Sequence, residues 1–258
     1  MEFRMNGKEL KEAINICRLR GKYNEGMGNK TSVLCDDLYI EVEDGMVYIQ
    51  NANNFTYVVY RHTDVEAVNG MVNLSGSILE KYLTDTDLVF KSDEGKIELA
   101  TEYSVVTLPV LGRHSELHVI YRLKDKLRNL TRRSIKKMVK EGQEIFVTEN
   151  LALNTMLDVE SDELTDAMSL AEKVGNSIYK IDWDGDKLLV SSTKNNESVY
   201  TEVFVSGGSD RKATVEISLP ISKLVSKEEN VIILYDDEKP VVFANQQVTV
   251  LRAPRLGA

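Results

Sequence analysis

The stretch DELTDAMSLAEKVGNSIYKIDWDGDKLLVSST (162–193) decides the fold, because it repeats a plan already present at the start of the chain. It opens with a helical run, apolar at Leu164, Met168 and Leu170 or Ala171. A hairpin follows with its turn at Asp184-Gly185, a pair that favours tight reversal. The same succession stands at KELKEAINICRLRGKY (8–23), apolar at Leu10, Ile14 and Cys17, and DLYIEVEDGMVYIQNAN (37–53), with its turn at Asp44-Gly45. Locally, Glu9-Leu10-Lys11-Glu12-Ala13-Ile14 matches Glu163-Leu164-Thr165-Asp166-Ala167-Met168.

Working outward, TYVVYRHT and GMVNLSG read as strands, SGSILEKYLTDT (75–86) as a short helix apolar at Ile78, Leu79, Tyr82 and Leu83, and LVFKSDEGKIELATEYSVVTLPVL (88–111) as three more strands. The second half offers VYTEVFV and ATVEISLP, a short helix ISKLVSKEE (221–229), then VIILYDD, PVVFANQ and QVTVLRAP. Both halves therefore read β-α-β-β-β-β-α-β-β-β, an internal duplication. An α+β fold is expected, with antiparallel sheets and each helix covering one face of a sheet. Asn6 is the expected N-cap of the first helix. The domains are placed at 1–111 and 151–258, joined by a basic connector at 112–150.

Charge separates along the chain. Lys and Arg number 32 and Asp and Glu 41, so the formal charge is −9, which excludes a protein basic all over. From 122 to 140, RLKDKLRNLTRRSIKKMVK holds nine basic residues and one acidic one; the −9 thus divides into +8 here and −17 elsewhere. Ile120, Leu123, Leu127 and Leu130, then Ile135, Met138 and Val139, keep helical spacing, so one or two amphipathic basic helices are expected. Such a segment is either a solvated linker helix or a contact to phosphates or an acidic partner.

On a wheel of 100° per residue, Lys8, Lys11, Arg18 and Lys22 fall on one flank of the first helix beside the apolar stripe, with Asn15 among them. A row of cations along a helix suits the phosphates of a duplex, although any amphipathic helix shows a charged solvent face. The second helix offers Lys81, and its counterpart Lys223 and Lys227 at i, i+4. The helix at 162–174 departs from this, with Asp162, Glu163, Asp166 and Glu172 against Lys173.

Chemistry has few candidates. H-E-x-x-H, G-x-S-x-G and the P-loop pattern do not occur, and Cys17 and Cys35 make neither a disulfide framework nor a paired zinc spacing. Neither a metal nor a cofactor is expected. With no leader-like or spanning apolar run, a cytoplasmic location is expected.

Taken in order, MEFRMNGKELKEAI, LYIEVEDGMVYIQNAN, GMVNLSGSILEKYL with LVFKSDEGKIELAT, SVVTLPVL and the tail VTVLRAPRL resemble the DNA sliding clamps, the processivity factors of replicative polymerases. The resemblance implies a ring around duplex DNA, with helices lining a channel and sheets outside. Two domains per chain resemble the homotrimeric clamps of the proliferating cell nuclear antigen type and of phages, while the first half looks more like bacterial β-clamps. The implied channel cations are Lys8, Lys11, Arg18, Lys22, Lys81, Lys223 and Lys227, with Arg132, Arg133, Lys136 and Lys137 of the connector as further DNA contacts. A pocket for apolar anchors of client peptides would use Leu251, Ala253, Pro254 and Leu256. Polymerase, other clients and an ATP-driven clamp loader are the implied partners.

Other readings stay open. A monomeric or dimeric processivity factor could hold DNA on a basic face without encircling it. A metal-dependent enzyme would use Asp182 with Asp184 or Asp236 with Asp237, pairs that sit at predicted turns where acids occur for local reasons. A viral structural β-protein would have no need of a one-sided basic helix.

Overall fold

The computed structural model describes residues 1–19, 36–53, 55–93, 95–112, 117–140, 142–148, 151–174, 178–194, 196–218, 230–237 and 239–254. The chain divides into two compact units, Met1–Arg122 and Leu123–Ala258. The expected connector at 112–150 contributes residues to both.

The first unit runs β1 (Glu2–Asn6), α1 (Gly7–Cys17), β2 (Asp37–Glu43), β3 (Met46–Ala52), β4 (Thr56–Thr63), β5 (Gly70–Ser75), α2 (Gly76–Glu80), β6 (Asp87–Asp93), β7 (Lys96–Ala100) and β8 (Val105–Pro109). This is the order read from the sequence. One sheet has the order β1-β6-β7-β8; β4, β3, β2 and β5 are neighbours in another, and all pairings are antiparallel. Asp44 and Gly45 both take positive φ, 50° and 78°, as the two-residue turn between β2 and β3 requires.

Helix α1 starts where its sequence dictates. The Asn6 side chain accepts the Lys8 N–H at 3.0 Å, the expected cap. Gly7 lies so close to the Thr84 carbonyl that a Cβ would stand 2.0 Å from the oxygen. Leu10, Ala13, Ile14 and Cys17 are fully buried, and the helix packs on β3 and β4. Helix α2 is shorter than the expected 75–86; it buries Leu79, but Ile78 and, beyond its end, Tyr82, expected in the same apolar stripe, are exposed.

Helix α3 (Leu117–Leu127) carries the boundary between the units. The second unit continues with a 3₁₀ turn (Arg132–Ser134), β9 (Lys136–Lys140), β10 (Gln143–Val147), β11 (Ala152–Leu153), β12 (Thr155–Val159), α4 (Ser161–Lys173), β13 (Ile178–Trp183), β14 (Leu188–Lys194), β15 (Glu197–Val203), β16 (Val205–Gly208), β17 (Ala213–Ser218), β18 (Val231–Tyr235), β19 (Val241–Ala244) and β20 (Val248–Arg252). The helix expected at 221–229 lies outside the described residues.

The duplication is visible in the pairing. Strands β12, β18, β19 and β20 are consecutive neighbours as β1, β6, β7 and β8 are, and β15-β14-β13-β17 repeats β4-β3-β2-β5. Helix α4 packs on β14 and β15, the counterparts of β3 and β4, burying Leu164, Ala167, Met168 and Ala171. A single bridge between Glu2 and Val68 in the first unit corresponds to the pairing of β12 with β16 in the second. The matching Asp-Gly turns differ, however: at 184–187 the Asp184 carboxylate accepts the N–H groups of Asp186 and Lys187, closing a four-residue loop between Trp183 and Leu188.

The connector corrects the helical expectation. Its first part is helical and buries Ile120, Leu127 and Leu130, but 136–140 is a strand, with β9 outermost in the order β11-β10-β9. Gly142, at φ 78°, lies in the hairpin turn, and Gln143–Val147 supplies the partner strand, so ladder hydrogen bonds replace a helix that had no buried face for Met138 or Val139. No helix among the described residues is long and apolar enough to cross a membrane.

Candidate nucleic-acid interface

With the rotation of α1 fixed by Asn6 and Gly7, its solvent face is Lys8, Lys11, Glu12 and Asn15, spaced i, i+3, i+4, i+7. Glu9 is withdrawn from that face, accepting from Tyr60 Oη at 3.2 Å and lying 2.9 Å from His62 Nδ1. Burial, and next to it the Glu9 carboxylate, push the Tyr60 phenol well above its usual range. The exposed face is left with two cations and one acid. Burial raises the Cys17 thiol strongly, and its Sγ donates to the Ile49 carbonyl at 3.0 Å.

Arg18 does not join this face. It caps the C-terminal end of α1, its side chain is only 2% exposed, and it forms ion pairs with Asp36 at 2.8 Å and Glu80 at 2.6 Å. Asp36 also accepts from Ser75 and from the backbone and side chain of Ser77. Burial, which would raise the Asp36 carboxyl, is outweighed by those serine bonds and the Arg18 charge, so its pKa is lowered. Arg18 thus ties α1 to α2 and to the chain entering β2. Lys81, which follows α2, is exposed. Lys22, Lys223 and Lys227 lie outside the described residues.

Helix α4 turns Asp162, Glu163, Asp166 and Leu170 to solvent. Glu163 accepts the Phe204 N–H at 2.8 Å, and Glu172 accepts from Tyr179 Oη at 2.8 Å. This face would repel a phosphate chain. In the connector, Arg132 pairs with Asp158 at 3.1 Å and Lys137 with Glu144 at 2.6 Å. Arg133 and Lys136 are exposed and have no ion pair among the described residues.

At the tail, Leu251, Ala253 and Pro254 are half-buried, and Pro254 bridges Ile217 of β17. Thr249 Oγ1 donates to the Leu130 carbonyl at 3.3 Å, holding β20 against the connector. Leu256 lies outside the described residues. The fully buried Arg252, between Leu251 and Ala253, carries no signal in the sequence that separates it from an exposed strand cation.

The acids proposed for metal chemistry serve structure. Asp182 accepts from Thr214 Oγ1 and pairs with Lys180, while Asp236, 6% exposed, is held by Asn154 at 2.6 Å, Lys239 at 2.7 Å and Arg211 at 3.5 Å. Among the described residues no group of three or more His, Cys, Asp or Glu is arranged to hold a metal ion.

Comparison with solved structures places this architecture. The sliding clamp of Bacillus subtilis superposes with a TM-score of 0.72 at 11% identity over 100% of this chain, and the DNA polymerase III β subunit of Thermotoga maritima with 0.68 at 13%. The PCNA of A. fulgidus, solved with the C-terminal region of FEN-1 bound, gives 0.69 at 12% identity, covering 100% of this chain and 99% of that one. The fold is that of the sliding clamps. The chain spans about two thirds of the bacterial clamp chains, 65% and 66%, but the full length of the archaeal one. Neither a family model nor a curated protein matches the sequence. The two units differ in charge on the solvent faces of α1 and α4.

Proposed function

We propose that the chain is a sliding clamp, several copies of which close around duplex DNA and tether a DNA polymerase and other clients to it. The observation that carries this reading is the duplicated helix-on-sheet unit, which agrees with the archaeal PCNA subunit from end to end. A chain of that size and repeat count favours a homotrimer. The role is non-enzymatic and needs no cofactor, in the cytoplasm or nucleoid. A separate loader would open the ring.

Two sheet edges with no neighbouring strand among the described residues support assembly. Strand β8 ends one sheet of the first unit, and β15 ends one sheet of the second. Exposed large apolar groups accompany both, Tyr103 and Val105 at one edge and Tyr200 and Phe204 at the other. Two different edges on one chain suit head-to-tail pairing between copies. Duplex contact falls to Lys8, Lys11 and Lys81, with Lys22, Lys223 and Lys227 as further candidates. So few cations give weak, salt-sensitive phosphate contact, which permits sliding while the ring prevents escape. The tethered polymerase then gains from a raised effective concentration at the primer end. Leu251, Ala253, Pro254 and Leu256 are the proposed client pocket.

Light scattering together with retention on nicked circular DNA tests the reading. A trimer that stays on the circle after a salt wash and is lost when the circle is cut supports it. A concentration-independent monomer held equally on circular and linear DNA would overturn it in favour of a non-encircling factor.

A further inference from the structure

At Met71 the chain sets an exposed thioether against two phenols. Strands β2 and β5 pair in the register Glu41–Met71 and Tyr39–Asn73, so Tyr39 lies diagonal to Met71 on one face of the sheet. Tyr39 is 1% exposed, and its Oη donates to Met71 Sδ at 3.1 Å. Tyr121, on α3, sets its ring edge-on to that of Tyr39 with the centroids 5.9 Å apart, and its Oη stands 3.9 Å from the same sulfur. All three residues belong to the first unit.

Two hydroxyl donors exceed what a thioether can use well, because its sulfur is a weak acceptor. The separation from Tyr121 is long for a bond to sulfur. It is filled by one sulfur–oxygen bond followed by a hydroxyl-to-oxygen hydrogen bond of about 2.7–2.8 Å, meeting at a bent angle. Glu41, the cross-strand partner of Met71, offers oxygens alone, so an oxygen placed on the sulfur turns to the tyrosines. Burial decides which methionines an oxidant reaches. Met5, Met156 and Met168 are buried, while Met71 is 61% and Met138 52% exposed. Met46 receives one hydroxyl, Thr63 Oγ1 at 3.4 Å, and Met138 receives none among the described residues.

We propose that Met71 is a reversible oxidation site, at which a hydroperoxide converts the thioether to a sulfoxide held by Tyr39 and Tyr121. The sulfur lone pair attacks the terminal peroxide oxygen, the sulfur–oxygen bond forms as the O–O bond breaks, and the proton of the transferred hydroxyl passes to the departing oxygen, which leaves as water or an alcohol. Sulfur loses two electrons and the peroxide gains them. Two thiols of a methionine sulfoxide reductase return those electrons, becoming a disulfide and releasing water. In a core, a sulfoxide disrupts packing. Here a weak acceptor becomes a strong one against donors already in place, and the bond to Tyr121 ties α3 to β5. Oxidation at Met71 belongs to the first unit alone and does not rest on the clamp reading.

Hydrogen peroxide on the full chain tests this, with oxidised positions mapped by mass spectrometry and unfolding followed by circular dichroism on heating. Met71 is expected to gain one oxygen under conditions that oxidise Met138. Oxidation should lower the unfolding temperature by about 2–4 °C more in Tyr121→Phe, which lacks the donor to the sulfoxide, than in the parent chain. In Met71→Leu, which keeps the side-chain volume, adding Tyr121→Phe should leave the oxidation shift unaltered. A Met71 that stays unoxidised while Met138 reacts overturns the proposal. So does an equal shift with and without Tyr121→Phe, or a difference that persists in Met71→Leu, which would place its origin at another methionine. Retention on circular DNA is read separately, so failure here leaves the clamp reading standing, and the reverse.

Discussion

Helices α1 and α4 match on their buried sides and differ in charge on their exposed ones. The local match sets each residue of α1 against the one 154 positions later. Leu10 then faces Leu164, Ala13 faces Ala167, Ile14 faces Met168 and Cys17 faces Ala171, and all eight are buried. On the solvent side, Lys8 meets Asp162 and Lys11 has no cationic counterpart, while Glu12 and Asp166 are both acids; the buried Arg18 falls against Glu172. Core positions answer to packing, where a lost methylene group leaves a void. Exposed positions carry little stability and are free to take whatever charge binding requires. On the proposed clamp function, the difference assigns DNA contact to the first unit and leaves α4 for another role.

The buried half of the comparison breaks if the two cores are unequal. Leu10→Ala and Leu164→Ala should each cost about 2–5 kcal/mol in a urea titration. A loss under ~1 kcal/mol at either site would mean that its helix is not seated as described.

Next in size is the Arg18–Glu172 position. Arg18→Ala is expected to cost about 2–3 kcal/mol, toward the low side for a buried ion pair because Asp36 and Glu80 keep some water contact. Glu172→Ala forfeits one hydrogen bond from Tyr179, about 1 kcal/mol. Acid provides a second reading. Because the folded-state pKa of Asp36 is lowered, its stabilising effect is present above the ordinary carboxylate pKa of about 4 and is lost as pH falls through the lower folded value. Arg18→Ala removes the smallest of the causes that lower it, so the loss of stability below about pH 4, followed by denaturant unfolding, should become only slightly shallower while the Ser75 and Ser77 bonds keep the rest.

The exposed half is tested by exchanging charge. Lys8→Glu with Lys11→Glu should lower DNA retention about tenfold and make the salt dependence shallower, by about 0.9 in slope for each phosphate no longer neutralised. Asp162→Lys with Asp166→Lys should raise retention if α4 faces the duplex and leave it unaltered if α4 does not. Oligomer mass should stay constant in both. The smallest effect belongs to the tail. Pro254→Ala should weaken a client peptide about threefold in anisotropy, without altering DNA retention.

Much of this architecture was legible. Alternating strands, Asp-Gly turns and three-to-four-residue apolar spacing carried the order of elements, because each is a local property of consecutive residues. The pieces that escaped depend on distant partners. Arg18 lies on the polar flank of a helical wheel, but it caps the helix, and Asp36 and Glu80, which bury it, are 18 and 62 positions away. Lys136–Lys140 has helical spacing until Gln143–Val147 is seen as its partner across Gly142. The basic character of the connector was plain, while the cluster at Met71 needed Tyr39, Met71 and Tyr121 brought together from three elements.

Gly7 has a bearing on how such a chain can change over generations. The Thr84 carbonyl leaves no room for a side chain there, so a library of random variants screened for function should return glycine alone at this column. Next to it and one turn further on, Lys8 and Lys11 can vary in small steps, each, on the proposed function, altering grip on DNA without altering where the helix stands. A fixed letter beside adjustable ones would let natural selection retune affinity without rebuilding the molecule.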